Sequence, residues 1–184
     1  MNDDNVLSIN VADSVGTADV FNPPPAAPDL LDRYVAPHTK VSRDVTQDDV
    51  GRVITEAEIM HQLCFTPRGI YPSAVAIAHP QIDDQDPLRF FVTLAGEIII
   101  NPVISSTTKT TVDNVEGCMS YPDNKMKKVQ RFNVLELSYQ TVMKNGELSE
   151  VLQKSCSGKL AKIIQHETDH LDAKYVFDTA EEKV

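Results

Sequence analysis

In the segment QHETDHLD, His166 and His170 stand four residues apart, with Glu167 directly after the first. On a helix that spacing puts both imidazoles on one face, where two ring nitrogens can hold one cation. Glu167 lies beside that face and can reach a water at the cation without being a ligand itself. The alternative is a surface helix with scattered charge, since HETDHLD is polar throughout. Ile163 and Ile164, just upstream, favour the metal reading. They bury that part of the helix, and buried imidazoles need partners. A metal site also needs a third protein ligand. Only fourteen residues follow His170, none of them a histidine, and their glutamates, Glu181 and Glu182, sit in a charged tail. The third ligand must then come from upstream.

The segment VEGCMSYP, Val115 to Pro122, offers one. Cys118 is flanked by small and polar residues rather than by a core pattern. A free cysteine is often no more than a small core residue. That reading fits Cys64, in an apolar helical setting, and Cys156, between two serines, reads as incidental. Cys118 is expected to be the ligand.

These residues need elements to position them. KLAKIIQHETDHLDAKY reads as the final helix, with Leu160, Ile163, Ile164 and Leu171 on its apolar side. TQDDVGRVITEAEIMHQLCF reads as an upstream helix capped by Thr46 and ended by Pro67 and Gly69, with Val50, Val53, Ile54, Ala57 and Met60 at helical spacing. SAVAIA, LRFFVTLA, EIIINPVI and FNVLELSYQTVM are short, apolar and rich in β-branched or aromatic residues, and read as strands; KNGE is a turn after the last. The expected class is α+β. Residues 1–20 are polar and acidic and read as an irregular extension, followed by a rigid entry at NPPPAAPD and one catalytic domain over residues 21–184.

A chain of 184 residues, 41% apolar, suits a single core. No apolar run is long enough to span a membrane. The first twenty residues hold four aspartates and no Lys or Arg, unlike a secretory or transit leader, so a cytosolic place is expected. The net charge of -10 argues against a nucleic-acid surface. Three cysteines, an odd and sparse set, argue against a disulfide framework.

QHETDHLD preceded by EGCMS resembles the peptide deformylase family, which carries EGCLS and QHExDHL in this order at about this separation. A further family motif, Gly-x-Gly-x-Ala-Ala-x-Gln, aligns with AVAIAHPQ, Ala74 to Gln81. Gln81 and Ala78 match; Ala74 and Ala76 replace the two glycines, and His79 replaces the second alanine. PDLLDRYVAP, INP at Ile100 to Pro102, Arg131 and VFD at Val176 to Asp178 are also family-like, so the resemblance covers about residues 25 to 180. The short, acidic TAEEKV end is similar to that of phage-borne members. It differs from the basic C-terminal helix with which many bacterial members dock on the ribosome.

The resemblance implies antiparallel and mixed sheets around a central C-terminal HExxH helix. It implies a cytoplasmic, monomeric hydrolase, transiently near the ribosome, that removes formyl from N-formyl-methionyl nascent peptides and releases formate. One divalent cation, natively Fe2+ with Zn2+, Ni2+ or Co2+ as substitutes, would be held by Cys118, His166 and His170. Glu167 would act as base and then acid. The Gln81 amide and the Met119 backbone N–H would stabilise the oxyanion, and Glu116 would orient a ligand. Val75, Ala76 and Ile163 would bind substrate, Val75 and Ile163 lining the methionine pocket, with His79 packed or exposed. Two rivals remain: a metallo-amidase or peptidase on another substrate, and a catalytically impaired relative that only binds metal or formyl peptides. The lost glycines favour the second; retention of Glu167 and Gln81 opposes it, because binding alone needs no proton shuttle.

Overall fold

Phe90, Phe91 and Val92, and again Ile98, Ile99 and Ile100, run apolar without a polar alternate. Such runs belong to strands covered on both faces. The computed structural model describes residues 5–9, 39–65, 74–106, 110–121 and 126–177. It contains seven strands: β1 (Ala76–Ala78), β2 (Phe90–Thr93), β3 (Ile98–Ser106), β4 (Thr111–Glu116), β5 (Lys127–Phe132), β6 (Val134–Gln140) and β7 (Leu152–Ser157). Two helices accompany them, α1 (Val50–Phe65) and α2 (Gly158–Leu171). One sheet has the order β1-β2-β3-β6-β7, and β4 and β5 form a separate ribbon; every pair is antiparallel. This is the expected α+β class.

The pleat sorts side chains between two cores. Ile77, Phe90, Val92, Ile98 and Ile100 join Val53, Ala57 and Met60 of α1. Their neighbours Ala78, Phe91 and Ile99 join Leu135, Leu137, Ala161, Ile164 and Leu171 on the α2 side. The β1–β3 end of the sheet is therefore filled from both faces. Cys64 lies fully buried in the α1 layer, and burial pushes its thiol up to about 12. Cys156 is not incidental: it is 1% exposed and belongs to the α2 layer.

Three strands escape the sequence reading. β4, β5 and β7 (TVDNVE, KKVQRF, LQKSCS) are polar, with one face in solvent and little apolar alternation. Thr46 does open α1: its N–H and hydroxyl donate to the Asp49 carboxylate at 2.8 and 2.9 Å, across a short 3-10 turn, Gln47–Asp49. Asn101, of the INP segment, has φ 49 at an irregularity in the β3–β6 pairing. Its amide clamps both backbone groups of Val45 at 2.9 Å and so ties the entry of α1 to the sheet. NPPPAAPD, PDLLDRYVAP, Pro67, Gly69, Asp178 and the acidic tail lie outside the described residues.

Residues 5–9 run beside the sheet. The N–H groups of Leu7 and Ile9 donate to the carbonyls of Val142 (2.9 Å) and Gly96 (3.2 Å). Gly96 has φ +78, and a Cβ there would sit 2.3 Å from the Ile9 carbonyl oxygen. Gly146 has φ +79 with nothing within 4 Å. A left-handed non-glycine costs about 1–2 kcal/mol, or roughly 2–8 °C in Tm at this chain length. Gly96→Ala is expected to lower Tm by more than Gly146→Ala, because it adds a backbone clash to the same φ cost. Equal shifts in thermal melts would show that residues 5–9 contribute nothing at this contact.

Candidate active site

The i, i+4 spacing on α2 brings His166 and His170 together with their Nε2 atoms 3.2 Å apart. Cys118 arrives from the turn after β4, where the Tyr121 N–H donates to the Cys118 carbonyl at 3.1 Å. Its Sγ lies 3.4 Å from His170 Nε2. The three potential ligand atoms are all within 4.8 Å of one another. Cys118 and His170 are buried, 6% and 1% exposed.

The β4–β5 ribbon is docked on α2 by side chains of the same motif. Gln165 accepts from the Phe132 N–H and donates to the Phe132 carbonyl, both at 2.9 Å, as a neighbouring strand would. Arg131 donates through Nε and Nη2 to the two oxygens of Glu116, both at 2.8 Å, and through Nη1 to Asp169 at 2.6 Å. Glu116 Oε2 in turn meets His166 Nδ1 at 2.9 Å. With Nδ1–H given to Glu116, the Nε2 lone pair of His166 faces Cys118 and His170.

The electrostatics follow from this chain of contacts. Burial opposes ionisation of Glu116, but Arg131 and His166 overcome it and hold the carboxyl well below the usual range. Burial likewise opposes charge on His166; Cys118 and Glu116 outweigh it and push the imidazole up to about 10. A divalent cation held by Cys118 and the two imidazoles would take the place of the proton on His166. One thiol and two imidazoles are a donor set suited to a first-row divalent ion, so the residues present fit such a group.

Beside the cluster lies a cavity of about 610 Å³. Val75, Ala76, Gln81, Cys118, Met119, Ile163, His166 and Glu167 all line it, while His170 lies behind, packed on Tyr175. Glu167 is 4% exposed, and its Oε2 has no hydrogen-bond partner. Burial pushes its carboxyl up to about 7, against the pull of His166. Gln81 is held with its amide oriented: Oε1 accepts from the Ala78 N–H at 2.9 Å and Nε2 donates to the Ser120 hydroxyl at 3.2 Å.

His79 is packed and faces away from the cavity. The Leu88 N–H donates to its Nδ1 at 2.9 Å, and its Nε2 meets Glu56. Glu56, His79 and Asp83 could together reach an ion, but Arg52 already donates to both carboxylates, at 3.2 and 2.7 Å. That group is an ion-pair network.

The model of the polypeptide deformylase family matches residues 39–184. The chain belongs to the peptide deformylase family. Among curated relatives, the deformylase of Thermus thermophilus is 31% identical over 144 residues, 71% of this chain and 71% of that one. That of Thermotoga neapolitana is 31% identical over 107 residues, 56% of this chain. The match spans 60% of the Thermotoga protein's length. Among solved structures, the Synechococcus elongatus deformylase in complex with actinonin superposes with a TM-score of 0.62 and 27% identity, covering 79% of this chain and 74% of that one. A class I type b deformylase from Acinetobacter baumannii gives 0.61 and 25%, covering 80% and 90%. Ala74 and Ala76, the two positions where the family motif quoted above has glycine, both line the cavity and add methyl groups to its wall.

Sequence reasoning left several residues without a role. Arg131 is only family-like in sequence, and Asp169, Gln165 and Ser120 stand in the two motifs that carry the resemblance without a role of their own there. Lys159 and Lys162 also line the cavity. Their offsets of seven and four from His166 place them on its helix stripe and could have revealed them.

Proposed function

We propose that this protein is a peptide deformylase acting on N-formyl-methionyl nascent peptides, as a cytosolic monomer. The observation that carries this reading is the convergence of Cys118 Sγ and two imidazole Nε2 atoms beside the buried, unpartnered Glu167 carboxylate in the cavity wall. Among the described residues no helix is long and apolar enough to cross a membrane.

Cys118, His166 and His170 are the residues that would hold a divalent cation, Fe2+ natively with Zn2+, Ni2+ or Co2+ as substitutes. When bound, the cation supplies positive charge that acidifies a water and polarises a carbonyl oxygen. Glu116, fixed by Arg131, orients His166. Glu167 takes a proton from the attacking water and delivers it to the departing amine nitrogen as the formyl C–N bond breaks, leaving formate. Its burial-raised pKa suits both directions near neutrality. The Gln81 amide, turned by Ala78 and Ser120, and the Met119 N–H donate to the formyl oxygen as charge develops there. One such donor can be worth about 3 kcal/mol. Val75, Ala76 and Ile163 form the walls against methionine and the peptide backbone.

The test is anaerobic formate release from formyl-Met-Ala-Ser by the iron-loaded protein, with inhibition by actinonin as a second readout. No formate from fully metal-loaded protein would overturn the reading, and cleavage of an unformylated peptide bond instead would make the protein a metallo-amidase. Ala76 is 3% exposed and lines the cavity where peptide backbone would pass. Ala76→Gly is expected to lower KM for formyl-Met peptides with little change in kcat, at a stability cost of roughly 0.5–1 kcal/mol. A higher KM with the fold intact, by steady-state kinetics and melting, would make Ala76 an adapted contact rather than an obstruction.

A further inference from the structure

The cavity wall on α2 carries two cations with no counter-ion. Lys159 and Lys162 both line the cavity, and neither has a hydrogen-bond or ion-pair partner among the described residues. That is unexpected in a chain with 27 acidic and 17 basic side chains. Elsewhere the pairing is made: Lys128 meets Asp113, Lys154 meets Glu97 at 2.7 Å and Lys174 meets Asp172 at 3.3 Å. Of the acids lining the cavity, Glu116 is committed to Arg131 and His166, and Glu167 is buried with no ion pair to either lysine. Val115 and Met126, which also line the cavity, are 61% and 63% exposed and offer apolar contact but no charge.

The spacing matches a peptide. At about 1.5 Å rise per residue, Lys162 lies roughly 6 Å and Lys159 roughly 10 Å along the helix axis from His166. An extended chain advances about 3.3–3.6 Å per residue. With the formyl group at the cluster, the second and third residues of a peptide running along α2 reach those two levels.

We infer that Lys159 and Lys162 select formyl-methionyl peptides carrying an acidic side chain at the second or third residue. The inference rests on the deformylase reading and names its preferred substrate class. The lysines are specificity determinants that act on binding; neither approaches the reacting atoms. A carboxylate arriving between them gains two cationic partners, Lys162 half-buried and Lys159 exposed, whereas a lysine in the same place meets two like charges.

The test uses the full, metal-loaded chain and C-terminally amidated peptides: formyl-Met-Asp-Ala, formyl-Met-Ala-Asp, formyl-Met-Ala-Ala, formyl-Met-Lys-Ala and formyl-Met-Ala-Lys. Amidation removes the terminal carboxylate, which would otherwise imitate an acidic side chain; the free acid of formyl-Met-Ala-Ala measures that contribution separately. The better acidic peptide is expected to exceed the alanine peptide by about fivefold in kcat/KM, mainly through KM. The gain should shrink as salt is added. Lys159→Gln/Lys162→Gln should abolish the preference at unchanged Tm, and Lys159→Glu/Lys162→Glu should turn it toward the lysine peptides. Equal kcat/KM for acidic, neutral and basic peptides, or a preference unmoved by both double variants, would overturn the inference. Absence of formate from every peptide would instead overturn the deformylase reading. Competition of amidated Met-Asp-Ala against Met-Lys-Ala, by calorimetry on wild type and double variants, then decides the charge selection by itself.

Discussion

Glu167→Gln is expected to bind metal normally and to lose formate release by a factor on the order of 100 or more. The substitution keeps the shape and removes the proton acceptor. Glu167 is 4% exposed with Oε2 unpartnered, so no neighbour loses a bond at that oxygen when the carboxylate becomes an amide. Burial also disfavours the charged form of Glu167, so a neutral amide should leave the melting temperature unchanged or raise it. Loss of activity therefore has to come from proton transfer. Metal analysis, melting and kinetics on one preparation separate the possibilities. A variant that loses its metal along with its activity would make Glu167 a ligand, and the assigned mechanism would be wrong.

Cys118→Ala is expected to lose most of its bound metal and with it nearly all activity. Its Sγ is the one sulfur in the converging group, and two imidazoles alone leave the ion short of a protein ligand. The controls are Cys64→Ala and Cys156→Ala. Both thiols belong to the cores, at 0% and 1% exposure, so these variants should keep about one metal ion per chain while losing some stability. Elemental analysis after gel filtration measures the first effect and thermal melts the second. Full metal content in Cys118→Ala would remove Cys118 from the site.

The sequence by itself determined what depends on local geometry. Helical periodicity located α1 and α2, and the i, i+4 offset placed His166 and His170 on one face wherever that helix packs. Unbroken apolar runs marked β2 and β3, because strands covered on both sides need no polar alternate. Cys118 was legible as a candidate, since nothing after His170 could complete a metal site and its flanks are small and polar rather than core-like. The polar strands β4, β5 and β7 were not, because a strand with one face in water and few apolar residues resembles a loop in sequence. The tertiary structure alone decided the rest. Arg131 grips Glu116 from fifteen residues away and Asp169 from thirty-eight, Ser120 turns Gln81 across thirty-nine, and Gln165 holds Phe132 across thirty-three. It also set Lys159 and Lys162 against the cavity, and Gly96 against Ile9. Such pairs form only when strand register and helix packing bring distant segments together, and no local periodicity encodes that meeting.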